Sequence, residues 1–146
     1  METPQFILPA VAAVIFNEKG EVLLQKRRDV DQWCVLSGHV EYGEEVEEAM
    51  LREIKEETGA EASIVRLIGV YSEPGTQTYH YNGRSVQYIT SYFEASFRID
   101  PPAHFSNEET MQLAFFSVDN LPADFAQISP YWLSDALDAG QKVFVR

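Results

Sequence analysis

Three glutamates, Glu53, Glu56 and Glu57, stand at positions i, i+3 and i+4 of one short segment, directly after Arg52. On a helix that spacing lets three carboxylates converge on one site. Clustered carboxylate oxygens beside an arginine suit a hard divalent cation, and such cations typically act on phosphates. Helical periodicity separates these residues from the other acids nearby. With Glu53 at zero on a wheel of about 100° per residue, Val46 falls near ~20°, Glu57 near ~40°, Met50 near ~60°, Ala49 near ~−40° and Glu56 near ~−60°. Glu53 and Glu57 therefore share the apolar stripe, where an ionised carboxylate is costly unless paired or metal-bound. A solvated acidic face accounts for Glu44, Glu45, Glu47 and Glu48, but the period argues against it for Glu53, Glu56 and Glu57.

The elements that must hold these residues can be read on either side. The helix is expected from about Gly43 to Thr58, with Gly59 as its C-terminal stop. Before it, Ala10–Phe16 and Glu21–Lys26 read as two strands joined by the turn 17–20, and Trp33–Leu36 is a further short apolar piece. After it, Ala62–Tyr71, Ser85–Phe97 and Leu113–Val118 read as strands. A polar loop is expected from Ser72 to about Arg84. Ser129-Pro130 fits the N-cap and first position of a second helix carrying Trp132, Leu133, Ala136 and Leu137 and ending near Gly140. Strands on both sides of a helix indicate a mixed α/β layered domain.

At 146 residues the chain is expected to form one domain spanning 1–146, large enough to bury a core. Hydrophobic residues make up 45%, as in folded proteins, and no apolar run approaches the length of a membrane span. The start METPQFILPA has no basic residue before its apolar ones, which argues against a signal peptide. Cys34 is the sole cysteine, so no intrachain disulfide can form, and a reducing cytoplasm is the natural setting. The net charge is −12, half of it within Gly38–Ala60, where eight acids face two bases. Such a balance argues against a nucleic-acid partner and would repel a free nucleotide, unless divalent ions reversed the local field.

The segment GHVEYGEEVEEAMLREIKEETGA resembles the signature box of the Nudix family. Gly38, Glu44, Arg52, Glu53, Ile54, Glu56, Glu57 and Gly59 match that box in register, and flanking features, Trp33 before it and Phe115-Phe116 and Leu121-Pro122 after it, extend the likeness over most of the chain. Ala60 replaces a bulkier aliphatic residue. Val35-Leu36-Ser37-Gly38 stands where many members have Leu-Pro-Gly-Gly, which alters the loop approaching the phosphates. The resemblance implies an α/β/α sandwich with a mixed central β-sheet. It also implies hydrolysis of a diphosphate linked to another group, with Mg2+ or Mn2+ as cofactor. Its ligands would be Glu53, Glu56, Glu57 and the Gly38 carbonyl, with Arg52 holding the glutamates through charge-assisted hydrogen bonds. The general base would be a box glutamate, Glu53 or Glu56, or a later loop residue such as Glu108 or Glu109. The implied partner is a small nucleoside diphosphate derivative, and the family's habit of pairing makes a homodimer one expectation.

Substrate choice falls to residues outside the box. Arg27 and Arg28 end a strand, where they meet phosphate or simply solvent. Tyr79, Tyr81 and Tyr88 lie where a purine could stack. His39, His80 and His104 show no metal-ligand spacing, and Cys34 has no evident histidine partner. The order Glu-Glu-Thr, Phe-Phe, Leu-Pro is similar to members grouped with ADP-ribose pyrophosphatases, so ADP-ribose or a nucleotide sugar leads as substrate. A MutT-like housecleaning pyrophosphohydrolase acting on nucleoside triphosphates is the enzymatic alternative. A non-catalytic nucleotide sensor is the alternative of another class, although sensors tend to lose box carboxylates that are all present here. Isomerase chemistry on an isoprenoid diphosphate has little beyond Cys34 in its favour.

Overall fold

The computed structural model describes residues 3–140 and 142–146. The first strand, β1 (Gln5–Ile15), is buried continuously from Ala10 to Ile15. Its alternate side chains enter two different cores. Val11, Ala13 and Ile15 pack with Ala49, Met50 and Ile54 of helix α1 (Val46–Thr58), whereas Ala12 and Val14 pack with Trp132 and Ala136 of helix α3 (Trp132–Ala136). A strand covered on both faces needs an uninterrupted apolar run, which Ala10–Ile15 supplies. The layering is therefore helix, sheet, helix, the α/β/α sandwich expected.

The remaining strands are β2 (Val22–Arg27), β3 (Trp33–Cys34), β4 (Leu36–His39), β5 (Ala62–Tyr71), β6 (Thr78–Tyr81), β7 (Arg84–Phe97), β8 (Thr110–Phe116) and β9 (Phe144–Val145). The main sheet runs β4-β1-β7-β5-β9, with β6 also paired to β7. It is mixed: β1 and β7 are parallel from Gln5↔Ser85 to Ile15↔Ala95, β5 and β9 are parallel, and β4, β5 and β6 are antiparallel to their partners β1, β7 and β7. A second, antiparallel sheet runs β3-β2-β8.

Four expectations change. Helix α1 starts at Val46, because Gly43 adopts a left-handed turn (φ 88°) and the Glu45 N–H donates to the Glu48 carboxylate, a capping interaction. Val46, as the first helical residue, overhangs the core and is 40% exposed rather than buried. The segment Ser72–Arg84 is not all loop: it holds a single helical turn, α2 (Pro74–Gln77), and β6, which turns into β7 through Asn82-Gly83. Gly83 takes φ 90°, and Asn-Gly between two extended runs is a strong hairpin signal. Finally, α3 begins after Tyr131 and ends at Ala136, while Ser129 Oγ accepts from the Tyr131 N–H at 3.2 Å.

Candidate functional site

The inward stripe of α1 behaves as its periodicity requires. Glu53 and Glu57 are 8% and 4% exposed, among Ala49, Met50 and Ile54. Burial pushes the Glu53 carboxyl up, against the pull of Arg52. Burial pushes Glu57 much further, reinforced by the neighbouring Glu53 carboxylate, with Arg27 and the Ser37 N–H opposing. The Ser37 N–H donates to Glu57 Oε1 at 3.2 Å.

Gly38 lies in β4 opposite Val11, with the Glu53 carboxyl directly over it. A Cβ at this position would collide with Cδ, Oε1 and Cγ of Glu53, so only glycine lets strand and helix approach this closely. The box glycine and its glutamate are thus one packing unit.

Arg52 is the hub of the polar side. Its Nε and Nη2 donate to the two Glu44 oxygens at 2.7 and 3.0 Å, Nη2 also reaches the His39 carbonyl at 2.9 Å, and Nη1 meets Glu53 at 3.0 Å and Glu56 at 3.3 Å. Glu44 is therefore not a free, solvated flank. It precedes the helix, so the wheel does not govern it, and its carboxylate turns back onto Arg52, which holds it below the usual carboxylate range. Glu56 sits on the rim, its side chain 46% exposed and paired with Arg52.

The structure brings a loop residue to the helix. Oxygens of Glu53, Glu57 and Glu109 lie within 4.8 Å of one another. Glu109 immediately precedes β8, which begins at Thr110, three residues before the expected Leu113. Next to it the β2–β8 register shifts between Lys26 and Arg27, an irregularity of the kind that re-aims a strand end. Oxygen donors alone, two of them buried and raised chiefly by that burial, fit a hard divalent cation. The Gly38 backbone beside Glu53 offers a further oxygen.

These carboxylates help line a cleft of about 360 Å3. Arg27, Ser37, Gly38 and His39 line it near them, and Gln77, Tyr79, Tyr81, Tyr88 and Thr90 line it elsewhere. The tyrosines form an organised wall. Tyr79 and Tyr81 stack with centroids 6.3 Å apart, Tyr79 meets Tyr88 edge-on at 5.6 Å, and Tyr88 stacks on His39 at 5.3 Å. The Tyr88 hydroxyl lies 3.0 Å from Tyr81 Oη and 3.2 Å from His39 Nε2. Burial and the Tyr81 contact push the Tyr88 phenol up to about 12.

Of the two arginines at the end of β2, Arg27 reaches the cleft wall, braced by two hydrogen bonds to Asp29 at 2.7 and 3.0 Å. Arg28 is not among the lining residues. Its Nε donates to the Asn107 carbonyl at 2.6 Å and its N–H to the Glu109 carbonyl at 3.0 Å. Cys34 is buried, its thiol 3.7 Å from the Gln25 carbonyl and pushed up to about 12 by burial. Three residues near the site escaped the sequence reading. Asn107 could have been found as a turn former before a strand. Gln77 and Thr90, hydrogen-bonded to each other at 2.8 Å, carry no sequence signal, because their meeting depends on β7 lying beside α2.

Comparison with known proteins agrees with this fold. The family model described as NUDIX domain matches residues 7–136. A putative 8-oxo-dGTP diphosphatase of Bacillus subtilis (strain 168) is 47% identical over 64 residues, a stretch covering 44% of this chain and only 43% of that protein. An ADP-ribose pyrophosphatase of Methanocaldococcus jannaschii is 32% identical over 123 residues, covering 80% of this chain and 67% of that protein. The crystal structure of an ADP-ribose pyrophosphatase from Streptococcus suis 89-1591 shares the fold, with TM-score 0.76 and 19% identity over 95% of this chain and 98% of that one.

Proposed function

The chain belongs to the Nudix family, and from that premise we propose that it is a metal-dependent pyrophosphohydrolase that cleaves the diphosphate of ADP-ribose or a nucleotide sugar. One observation carries the reading: a carboxylate cluster and a tyrosine wall line the same cleft. That arrangement suits a ligand with a phosphate chain at one end and a base at the other. One relative aligned over 80% of the chain, the ADP-ribose pyrophosphatase of Methanocaldococcus jannaschii, supports the substrate class.

Glu53, Glu57 and Glu109, with the Gly38 carbonyl, are assigned to hold Mg2+ or Mn2+. When bound, the ion supplies neutralisation of the diphosphate and acidification of the attacking water. Arg52 opposes the burial that raises Glu53 and aims its carboxylate, and is itself fixed by Glu44 and the His39 carbonyl. Arg27, lining the cleft near the carboxylates, meets the phosphates. Tyr79 and Tyr88 receive the base. Glu53 and Glu56 both pair with Arg52, and Glu53 and Glu109 both stand in the cluster, so each of the three is a candidate acceptor for the water's proton. Near-normal turnover by Glu109→Gln would remove it as base and leave the task to a box glutamate.

The test is a hydrolysis panel of ADP-ribose, nucleotide sugars, dinucleoside polyphosphates, NADH and nucleoside triphosphates, with Mg2+ and Mn2+ compared. ADP-ribose or a nucleotide sugar should be turned over best, and removing a cluster carboxylate in Glu53→Gln should abolish turnover. Preference for a nucleoside triphosphate would favour the housecleaning reading, which the 47% local identity to a putative 8-oxo-dGTP diphosphatase supports. Tight binding of one panel member without turnover of any would identify a sensor instead.

A further inference from the structure

We propose that Asn107 is a positioning residue that sets the distance between Glu109 and the carboxylates of α1; the inference rests on Glu109 serving as a ligand in the site proposed above. The segment from Asp100 to Glu109 contains neither helix nor strand, yet it must deliver Glu109 to within 4.8 Å of two carboxylates fixed on a helix. Among the described contacts the Glu109 side chain has no hydrogen-bond partner of its own, so its backbone decides where the carboxylate goes.

That backbone is held by Asn107. Its Oδ1 accepts from the N–H groups of Glu109 at 2.9 Å and Thr110 at 2.7 Å, shaping the turn into β8. Its Nδ2 donates to the Glu56 carbonyl at 2.7 Å, in the last turn of α1, between Glu53 and Glu57. Its own carbonyl accepts from Arg28 Nε at 2.6 Å. One amide side chain therefore bridges the helix carrying two of the carboxylates and the turn carrying the third. A carboxylate at position 107 would lack the donor for Glu56, and a serine would be too short to reach it. Two further contacts join the same elements without touching the Glu109 backbone: Phe105 covers Gly59, and Thr110 Oγ1 donates to the Glu57 carbonyl at 2.7 Å.

The experiment measures Mn2+ affinity by electron paramagnetic resonance for the wild type, Asn107→Ala, Asn107→Ser, Glu109→Gln and the Asn107→Ala/Glu109→Gln double variant. Circular dichroism confirms folding. Loss of an outer-shell partner should weaken Mn2+ binding roughly 10-fold in Asn107→Ala. Asn107→Ser, which keeps a hydroxyl for the turn but loses the link to α1, should match it and guards against a misfolded alanine variant. The double variant should bind no more weakly than Glu109→Gln alone, because both changes remove one interaction. Unchanged affinity in both Asn107 variants, or losses that multiply in the double variant, would overturn the positioning role while leaving Glu109 as a ligand. Unchanged affinity in Glu109→Gln, or no Mn2+ binding by the wild type, would overturn the ligand reading and this inference with it.

Discussion

At the scale of single residues, the site depends on side chains whose shape matters as much as their charge. Arg52 spreads its fork over Glu44, Glu53, Glu56 and the His39 carbonyl. A lysine keeps the charge but cannot span those directions. Arg52→Lys should lower kcat by about 10–100-fold while leaving the fold intact by circular dichroism. Glu44→Ala should behave similarly, because it removes the brace and not a ligand; normal kcat in both would show that the hub is ornamental to turnover. Gly38→Ala forces a methyl into the Glu53 carboxyl and should cost roughly 1–3 kcal/mol in denaturant unfolding. Cys34, with its thiol pushed up to about 12 by burial, should resist iodoacetamide at neutral pH until the chain is denatured. Rapid native alkylation would contradict its burial. The pairing of Gly38 with Glu53 is legible in the sequence only as a spacing; the reason for it, a carboxyl lying over a bare Cα, requires both elements in place.

At the scale of elements, the hairpin β6–β7 and the junction of β5, α3 and β9 are the informative pieces. Tyr79 and Tyr81 were visible as residues, but alternate positions on a strand are needed to make them one wall. Asn82-Gly83 in the sequence marks the turn that does so. Tyr79→Ala should raise KM for the preferred substrate more than it lowers kcat, since stacking acts on the bound base and not on the scissile bond. An effect confined to kcat would remove the wall from substrate binding. Elsewhere, Arg146 grips Asp135 through two bonds at 2.8 and 3.0 Å, and Tyr71 donates to the same carboxylate at 2.5 Å. Burial raises the Asp135 carboxyl, but Arg146 and Tyr71 outweigh it and hold the group below its ordinary value. A carboxyl with a lowered folded pKa contributes stability that is present above the unfolded value of about 3.9 and is lost as pH falls through the folded one. The wild type should therefore lose Tm below that pH more steeply than Arg146→Ala, and equal acid profiles would show that the ion pair is energetically silent.

At the scale of the whole molecule, a net charge of −12 meets a fold that buries two glutamates side by side. That is costly without a cation. Mg2+ at ~100 times its Kd should add about 2.7 kcal/mol to folding stability, seen as a raised Tm reversed by EDTA. Glu57→Gln should abolish the increment and should itself raise Tm in EDTA, because a neutral amide avoids burying the charge. A Tm indifferent to Mg2+ would remove the metal from the cluster. The sequence by itself determined the helix, its inward carboxylates, the layered α/β class and the family, because these follow from periodicity and spacing within one short stretch of chain. Only the tertiary structure decided which carboxylates meet. Glu109 lies more than fifty residues from Glu53 and joins it through a turn fixed by Asn107, whereas Glu56, within the same box, points to Arg52 and the rim. It also turned Glu44 from a surface acid into the brace of Arg52, since a residue two positions before a helix begins is placed by its loop and not by the helical period.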